Sequence, residues 1–282
     1  MTRSSGPGVI DEPSHPRVRA ARRCHSASGR ARTGRFLAEG AQAVREAVAE
    51  PGVVVEIFAT PQWRSGDASD SAAAILGNAV GVPIHEVSER VLASIAETTT
   101  PQGVVAVCRD VTVGLDVLLA RSPRLVVVLA EVRDPGNAGT IIRTADAAGA
   151  DGVVLTTASV DPLGGKCVRS SVGSVFHLPL VVGQPVEVVD HLRGAGLTVL
   201  AADADADLDI TEADEQGLLA RPTAWVVGNE AHGVPVPYLR AVDAVVGVPV
   251  HGRAESLNVS VAAGVCLYAS ARAQRRPRRE PH

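Results

Sequence analysis

The chain has few aromatic residues and almost no lysine, and both shortages limit what it can bind and how. Aromatic side chains make up 2% of its 282 residues, which leaves few flat platforms against which a nucleobase could stack. Trp63 and Trp225 are therefore predicted to be packing residues. Lys166 is the only lysine, so binding of a polyanion would depend on arginine contacts to phosphate.

Metal-site, disulfide and membrane patterns are also missing from the sequence. Its four cysteines form no CxxC pair and its eight histidines include no HExxH pair, so we expect neither a metal nor a disulfide framework. No apolar run has the length of a membrane span, and no apolar stretch follows the charged N-terminus as in a secretory signal. Widely separated thiols suit a reducing compartment, which predicts a cytoplasmic protein. The cysteines are Cys24, Cys108, Cys167 and Cys266.

Two nucleotide-binding patterns fail at the positions where they would be needed. A dinucleotide-binding domain requires GxGxxG directly after its first strand, but the apolar run 125–130 is followed by Glu131-Val132-Arg133-Asp134-Pro135-Gly136. Gly165-Lys166-Cys167 lacks both the upstream glycine and the Ser or Thr of a P-loop. A nicotinamide-dependent oxidoreductase, the rival enzyme class, is therefore disfavoured.

The formal net charge of −4 hides a strong local asymmetry. Arginines cluster near both ends, at positions 17–35 and 272–279, whereas residues 203–215 are acidic and contain neither lysine nor arginine. The basic ends could contact phosphate despite the acidic sum, or they and the acidic stretch could simply be solvated. Both interpretations stay open at this point.

Hydrophobic patterning divides the chain into two α/β units. Residues 1–16 are predicted to be a flexible leader, 17–108 a small domain, 109–123 a linker, 124–272 a larger domain and 273–282 a basic tail. In the small domain, apolar spacing predicts a helix over 34–50, followed by a strand over 53–59. In the larger domain, apolar runs alternate with helical segments, which predicts a parallel sheet covered on both faces. The first of these runs, 125–130, is apolar throughout, as buried parallel strands are.

Three loop segments that follow apolar runs, or lie just beyond them, carry small, amide-bearing or carboxylate-bearing residues. Loops at the ends of strands are where open α/β sheets place ligands. Taken singly, each segment could be a turn, a helix N-cap or a solvated carboxylate. The segments are Asp134-Pro135-Gly136-Asn137 with Arg143 downstream, Gly228-Asn229-Glu230-x-x-Gly233, and Val248-Pro249 with Ser256-Leu257-Asn258-Val259-Ser260.

Together and in this order, the three segments resemble the motifs of the SpoU (TrmH-type) family, which methylates ribose 2′-hydroxyls of RNA. The resemblance covers about residues 123–272. Residues 34–40 and 100–104 look, more weakly, like the ribosomal-protein-like RNA-binding domain of many rRNA-directed members. The resemblance thus implies rRNA as substrate, with the large subunit favoured. A tRNA 2′-O-methyltransferase and a non-catalytic RNA-binding or ribosome-assembly factor of the same fold are the alternatives.

The resemblance also implies an architecture, the SPOUT fold. This is an α/β fold with a parallel sheet and a C-terminal trefoil knot, here preceded by a small α/β RNA-binding domain. The knot would contain the loops 228–233 and 248–258. Members of the family are homodimers whose active sites take residues from both subunits, so a dimer packed through the first and last helices of the larger domain is expected.

The cofactor and the residue roles follow from the resemblance as well. The methyl donor would be S-adenosylmethionine, whose sulfonium methyl is electrophilic enough to need no metal. Arg143 would act either as general base or, because guanidinium stays protonated, as a phosphate clamp, with Glu230 or solvent receiving the proton. The implied catalytic group is Arg143, Asn137, Glu230, Ser256 and Asn258. The implied cofactor-binding group is Gly228, Asn229, Gly233, Val248, Pro249 and Leu257.

Overall fold

The computed structural model describes residues 8–65, 70–206, 208–229 and 232–276, which form two compact units. The first unit comprises the chain up to Val111 together with Asp161–Phe176. The second comprises Thr112–Val160 and the chain from His177 onward. The segment Asp161–Phe176 therefore packs within the first unit, although it lies inside the larger domain predicted from the sequence.

The helices and strands are numbered in chain order. The strands are β1 Arg35–Glu39, β2 Val54–Ala59, β3 Ile84–Glu86, β4 Val104–Arg109, β5 Thr112–Val113, β6 Leu125–Leu129, β7 Gly152–Thr156, β8 Leu180–Gln184, β9 Thr198–Ala202, β10 Leu208–Asp209, β11 Thr223–Val227 and β12 Ala244–Gly247. The α-helices are α1 Pro16–Arg22, α2 Ala27–Thr33, α3 Ala41–Ala49, α4 Pro61–Arg64, α5 Asp70–Asn78, α6 Glu89–Ile95, α7 Leu115–Leu119, α8 Pro135–Ala148, α9 Gly165–Ser171, α10 Val188–Gly194, α11 Ile210–Glu215, α12 Val236–Ala241 and α13 Val259–Arg275.

The first unit is built on a mixed sheet with the strand order β1-β4-β2-β3. Strand β4 pairs antiparallel with β1 and β2, and β2 pairs parallel with β3. Apolar side chains of α1 and α6 pack on the sheet around Phe58, which is fully buried. The rings of Phe36 and Phe176 stack with centroids 5.7 Å apart.

The helix predicted over 34–50 is wrong in its first part. Residues Arg35–Glu39 form β1, which pairs with β4 along its whole length, and the helix begins only at Ala41. Gly34 ends α2 with φ at 60°, and Gly40 precedes α3 with φ at 87°. These glycines with positive φ mark the end of α2 and the turn between β1 and α3, and the apolar spacing of the predicted helix ran across the second of them.

Part of the predicted leader carries ordered contacts. Ile10 donates its backbone N–H to the carbonyl of Glu86 (2.8 Å) and accepts from the N–H of Ser88 (3.1 Å), which bridges it to Val87 beside β3. The prediction of a flexible leader over 1–16 is therefore wrong at Ile10, because its backbone is hydrogen-bonded. Residues 1–7 lie outside the described residues.

The second unit contains a sheet whose described pairings are all parallel, as the alternating pattern predicted. The strand order is β10-β12-β9-β11-β6-β7-β8-β5. Strand β6 lies between β11 and β7 and is buried throughout, which explains its unbroken apolar sequence. Helix α13 packs against α8 and β11, and the indole N–H of Trp225 donates to the hydroxyl of Ser270 at 2.9 Å with both side chains fully buried.

The segment 109–123 is not only a linker. Residues Thr112–Val113 form β5, which adds to the sheet beside β8, and Leu115–Leu119 form α7. Leu118 of α7 is fully buried in the core of the second unit. The prediction rested on Arg121-Ser122-Pro123, which follows α7 and ends it.

The acidic stretch and the basic C-terminal end contact each other. Residues Ile210–Glu215 form α11, which opens with a capping box of Asp209 and Glu212. Asp214 pairs with Arg272 (3.4 Å) and Arg276 (2.9 Å). Helix α13 runs to Arg275, so the predicted tail begins as helix, and 277–282 lie outside the described residues. Among the residues that the structure describes, no helix is both long and apolar enough to cross a membrane.

Candidate active site

Four neighbouring strands of the second unit end at one edge of its sheet, and the predicted site residues follow three of them. The strands lie in the order β12-β9-β11-β6 and run parallel. The loop after β6 leads into α8, the loop after β11 carries Gly228, and the loop after β12 leads into α13. Carboxyl ends of parallel strands are where open α/β sheets bind ligands, so the fold brings the three sequence motifs to that edge.

The loop after β11 closes on itself through two backbone hydrogen bonds. Asn229 and Gly233 exchange N–H···O bonds of 2.9 Å in each direction. A Cβ on Gly228 would lie closer than 3.0 Å to the backbone of Gly233 and Val234, so only glycine fits there without a shift. Gly233 has φ at 65°, where glycine is unstrained. Asn229 also donates its side-chain amide to the carbonyl of Glu131 at 3.2 Å.

The loop after β6 begins helix α8 with Asp134 as its N-cap. The Asp134 carboxylate accepts from the backbone N–H of Asn137 at 2.8 Å, and Pro135 occupies the first helical position. Asn137 is therefore held in the first turn, and Arg143 lies further along the helix with an exposed side chain. The N-cap that this segment could supply is thus Asp134, and Asn137 is left to act through its side chain.

The third segment begins helix α13 with Asn258 as its N-cap. Its side-chain oxygen accepts from the backbone N–H of Ser260 at 2.9 Å and from the hydroxyl of Ser260 at 2.6 Å. Its side-chain amide donates to the side-chain oxygen of Asn137 at 3.2 Å. This bond joins the first and third motifs across 121 positions of sequence.

A cavity of about 540 Å³ opens beside the loops after β11 and β12, which supply much of its lining. Five of the six predicted cofactor-binding residues line it: Gly228, Asn229, Gly233, Val248 and Leu257. Pro249, the sixth, lies between the lining residues Val248 and Val250 but is not itself part of the lining. The volume is in the range of pockets that enclose a cofactor-sized ligand.

The predicted catalytic residues divide between the cavity and its surroundings. Ser256 lines the cavity, whereas Arg143, Asn137 and Asn258 are not among its described lining residues. Asn137 and Asn258 are joined by their hydrogen bond, and Asn258 is two positions from Ser256. Glu230, the remaining predicted residue, lies outside the described residues.

Sequence reasoning missed one wall of the cavity. Asp203 and Asp205 line it from the loop after β9, and the acidic stretch that contains them had been interpreted without a site role. Asp203 accepts from the backbone N–H of Val234 at 3.0 Å and so ties this loop to the glycine loop. The sequence signal for this wall was the position of the acidic stretch, which begins where an apolar strand ends, at the edge of the sheet that binds ligands.

A buried tyrosine supports the back of the site. Burial raises the pKa of Tyr238, although a hydrogen bond with Thr156 partly opposes the shift. Thr156 in turn accepts from the backbone N–H of Glu131 at 3.0 Å, and Glu131 has an unusual φ of 58°. Glu131 supplies the carbonyl that holds Asn229, so this network fixes the glycine loop from behind.

In the part of the chain that the structure describes, no group of three or more His, Cys, Asp or Glu side chains is arranged to hold a metal ion. Four buried cysteines carry free thiols. Burial raises the pKa of the Cys24 and Cys108 thiols and raises that of Cys266 to about 12. These three thiols are therefore protonated near neutral pH, which makes them poor nucleophiles.

Two protein families match the chain, and together they span most of it. The SpoU rRNA Methylase family matches residues 124–268, and the MRM3-like substrate binding domain matches residues 15–106. The 23S rRNA (guanosine(2553)-2′-O)-methyltransferase RlmP of Bacillus subtilis (strain 168) is 35% identical over 259 residues, which are 92% of this chain and 97% of RlmP.

The chain also resembles the solved structures of two methyltransferases with bound S-adenosylmethionine (AdoMet). The AdoMet-bound rRNA methyltransferase from Sinorhizobium meliloti superposes with a TM-score of 0.78 at 32% identity, covering 94% of this chain and 98% of the other. The SpoU methyltransferase AviRb from Streptomyces viridochromogenes, also in complex with AdoMet, gives 0.78 at 31% identity, covering 91% and 98%. The motifs, the fold and these matches lead to one conclusion: the chain belongs to the SpoU rRNA methylase family.

Proposed function

We propose that the protein transfers the methyl group of S-adenosylmethionine to a ribose 2′-hydroxyl of rRNA, most specifically that of the large ribosomal subunit. The observation that carries the proposal is that the second and third motifs line one cavity, and that the first motif is joined to the third beside it by the hydrogen bond between Asn137 and Asn258. The family membership and the 23S rRNA substrate named for RlmP support the same activity. We also propose a cytoplasmic location, which suits an rRNA substrate.

The cavity suits the proposed cofactor in size and chemistry. Its walls are mainly apolar, from residues such as Val227, Val248 and Leu257, which suits an adenine ring. Gly228 and Gly233 let backbone approach a ligand closely, and Asp203 and Asp205 supply negative charge for a cationic one. When bound, S-adenosylmethionine supplies an electrophilic sulfonium methyl. Gly228, Asn229, Gly233, Val248, Pro249 and Leu257 are the residues proposed to hold it.

The substrate side of the site is assigned to polar residues at the start of α8 and α13. Arg143, exposed and permanently cationic, clamps a substrate phosphate and so orients the ribose for in-line attack. Asn137 and Asn258 form a hydrogen-bonded amide pair that positions the ribose, and Ser256 faces it from the cavity wall. Glu230 or solvent accepts the hydroxyl proton, because a guanidinium group is a poor base.

The domain roles proposed from the sequence complete this assignment. Residues 17–108 bind the RNA and 124–272 perform the transfer, a division supported by the match of residues 15–106 to a substrate binding domain. The loops 228–233 and 248–258 form a trefoil knot of the SPOUT type. Support for the knot is the family membership together with the convergence of both loops on one cavity.

The protein is further proposed to be a homodimer that packs through α8 and α13. Val261, Val265 and Tyr268 occupy one face of α13 at helical spacing and are 52%, 38% and 53% exposed. Three large apolar side chains in a row are unusual on a free surface, and a second copy of the chain would cover them. Sedimentation should give a dimer for the wild type and a monomer for Val265→Glu, whereas a monomeric wild type would contradict the proposal.

Methyl transfer from tritiated S-adenosylmethionine tests the activity. Unmethylated rRNA, bulk tRNA and both RNAs with Arg143→Ala are compared, with Arg121→Ala as control because Arg121 is exposed but lies outside the proposed site. We expect label in rRNA and little in tRNA. Arg143→Ala should lose the label, and the control Arg121→Ala should keep it. Labelled tRNA alone would contradict the rRNA assignment. No label together with no cofactor binding would favour the non-catalytic RNA-binding alternative.

A further inference from the structure

Asp203 occupies a junction of three segments that form the cavity. Its carboxylate accepts from the backbone N–H of Val234 at 3.0 Å and from that of Asp205 at 3.1 Å. Its own backbone N–H donates to the carbonyl of Val246 in β12 at 3.3 Å. The backbone of Asp203 is therefore tied to β12, and its side chain is tied to the glycine loop at the cavity wall.

The charge of this wall is one-sided. Among the cavity-lining residues that the structure describes, Asp203 and Asp205 are the carboxylates, and none is a lysine or arginine. Asp203 is half-buried, whereas Asp205 is exposed. A carboxylate that is partly withdrawn from water acts on a bound charge more strongly than an exposed one does. The remaining lining is largely apolar, which lowers the local polarity further.

Resting on the function proposed above, we propose that Asp203 makes the cavity prefer the cationic methyl donor over its product. S-adenosylmethionine carries a sulfonium charge, and S-adenosylhomocysteine carries an uncharged sulfur at the same position. The two molecules share the same adenosine, ammonium and carboxylate groups, so a difference in their affinity isolates the sulfonium. A fixed negative charge in the wall stabilises the first and not the second, which favours release of product after transfer.

Asparagine at position 203 removes the charge and keeps the tie to the glycine loop. Its single side-chain oxygen can accept from the Val234 N–H, whereas the bond from the Asp205 N–H to the other carboxylate oxygen is lost. Asp203→Ser is a second neutral variant, for use if Asp203→Asn fails to fold, and we expect it to show the same loss of preference for the cationic ligand. Glu215→Gln is the charge control, because Glu215 is an exposed carboxylate on α11 that does not line the cavity.

Calorimetric titration of each protein with S-adenosylmethionine and with S-adenosylhomocysteine tests the proposal. Loss of one charge from a half-exposed site should lower the preference for the cationic ligand roughly three- to tenfold. We expect this loss for Asp203→Asn, with near-normal affinity for the product, and no change for Glu215→Gln. Equal weakening of both ligands would make Asp203 a purely structural residue and overturn the proposal, as would an unchanged ratio. If the wild type binds neither ligand, the proposed function itself fails.

Discussion

Replacing Gly228 by alanine adds one methyl group at the most crowded point of the candidate site. That methyl would lie closer than 3.0 Å to the backbone of Gly233 and Val234, so the glycine loop must open or shift. Forcing extra volume into a packed region costs about 1–3 kcal/mol. Losing the two hydrogen bonds between Asn229 and Gly233 costs about 0.5–1.5 kcal/mol each. The variant should therefore lose about 2–6 kcal/mol of unfolding free energy.

The matched control is Gly252→Ala in the next loop. A Cβ at Gly252 meets no atom within 4 Å and its φ is not positive, so the same chemical change should be nearly neutral. Urea unfolding, followed by tryptophan fluorescence, measures the stability of Gly228→Ala and Gly252→Ala. Both are made in a Trp63→Phe background, so that Trp225, three positions before Gly228, reports on the second unit alone. Equal stability and equal cofactor affinity for the two variants would refute the steric reasoning.

Three further predictions concern the support of the site and the core. Asn258→Asp keeps the helix cap but loses the donor to Asn137, so methyl transfer should fall while the unfolding free energy stays near that of the wild type. Asn258→Ala loses the cap as well and should lower the unfolding free energy by about 0.5–2 kcal/mol. Equal methyl transfer by both variants and the wild type would contradict the role of the Asn137–Asn258 pair. Ser270→Ala leaves the buried indole N–H of Trp225 without its partner, and urea unfolding should show a loss of about 1–3 kcal/mol. Cys266, whose pKa burial raises to about 12, stays a thiol when folded and ionises when unfolded, so stability should fall as pH rises above about 8.5. Alkylation of Cys266 at about pH 8 should accordingly be slow in the native protein and fast in urea, and fast native labelling would contradict the burial.

The strongly patterned parts of the fold were predictable from sequence. The apolar run 125–130 and the alternation after it gave the parallel sheet, because buried strands leave few positions for polar residues. The helix predicted over 34–50 failed because strand β1 and helix α3 are both apolar and are separated only by Gly40. The strand–helix pair at 112–119 was missed because two-residue strands and short helices carry too few positions to show a period.

The candidate site was predictable to the extent that its chemistry lies in local segments. The glycine loop and the cap residues of α13 are readable because each needs specific residue types at fixed spacing. The contact of Asp203 with Val234 was not readable, because the carboxylate meets the Val234 N–H only after the sheet places β9 beside β11. The bond between Asn137 and Asn258 has the same origin, since no local pattern reports a contact across 121 positions.

The most direct test of the central claim is the chemical identity of the product. RNA methylated by the wild-type protein is digested completely to nucleosides, and these are separated and identified by mass spectrometry. We predict one new 2′-O-methylated nucleoside from rRNA, absent when Arg143→Ala is used. A methyl group on a base, or no methylated nucleoside from an RNA that the protein binds together with S-adenosylmethionine, would contradict it.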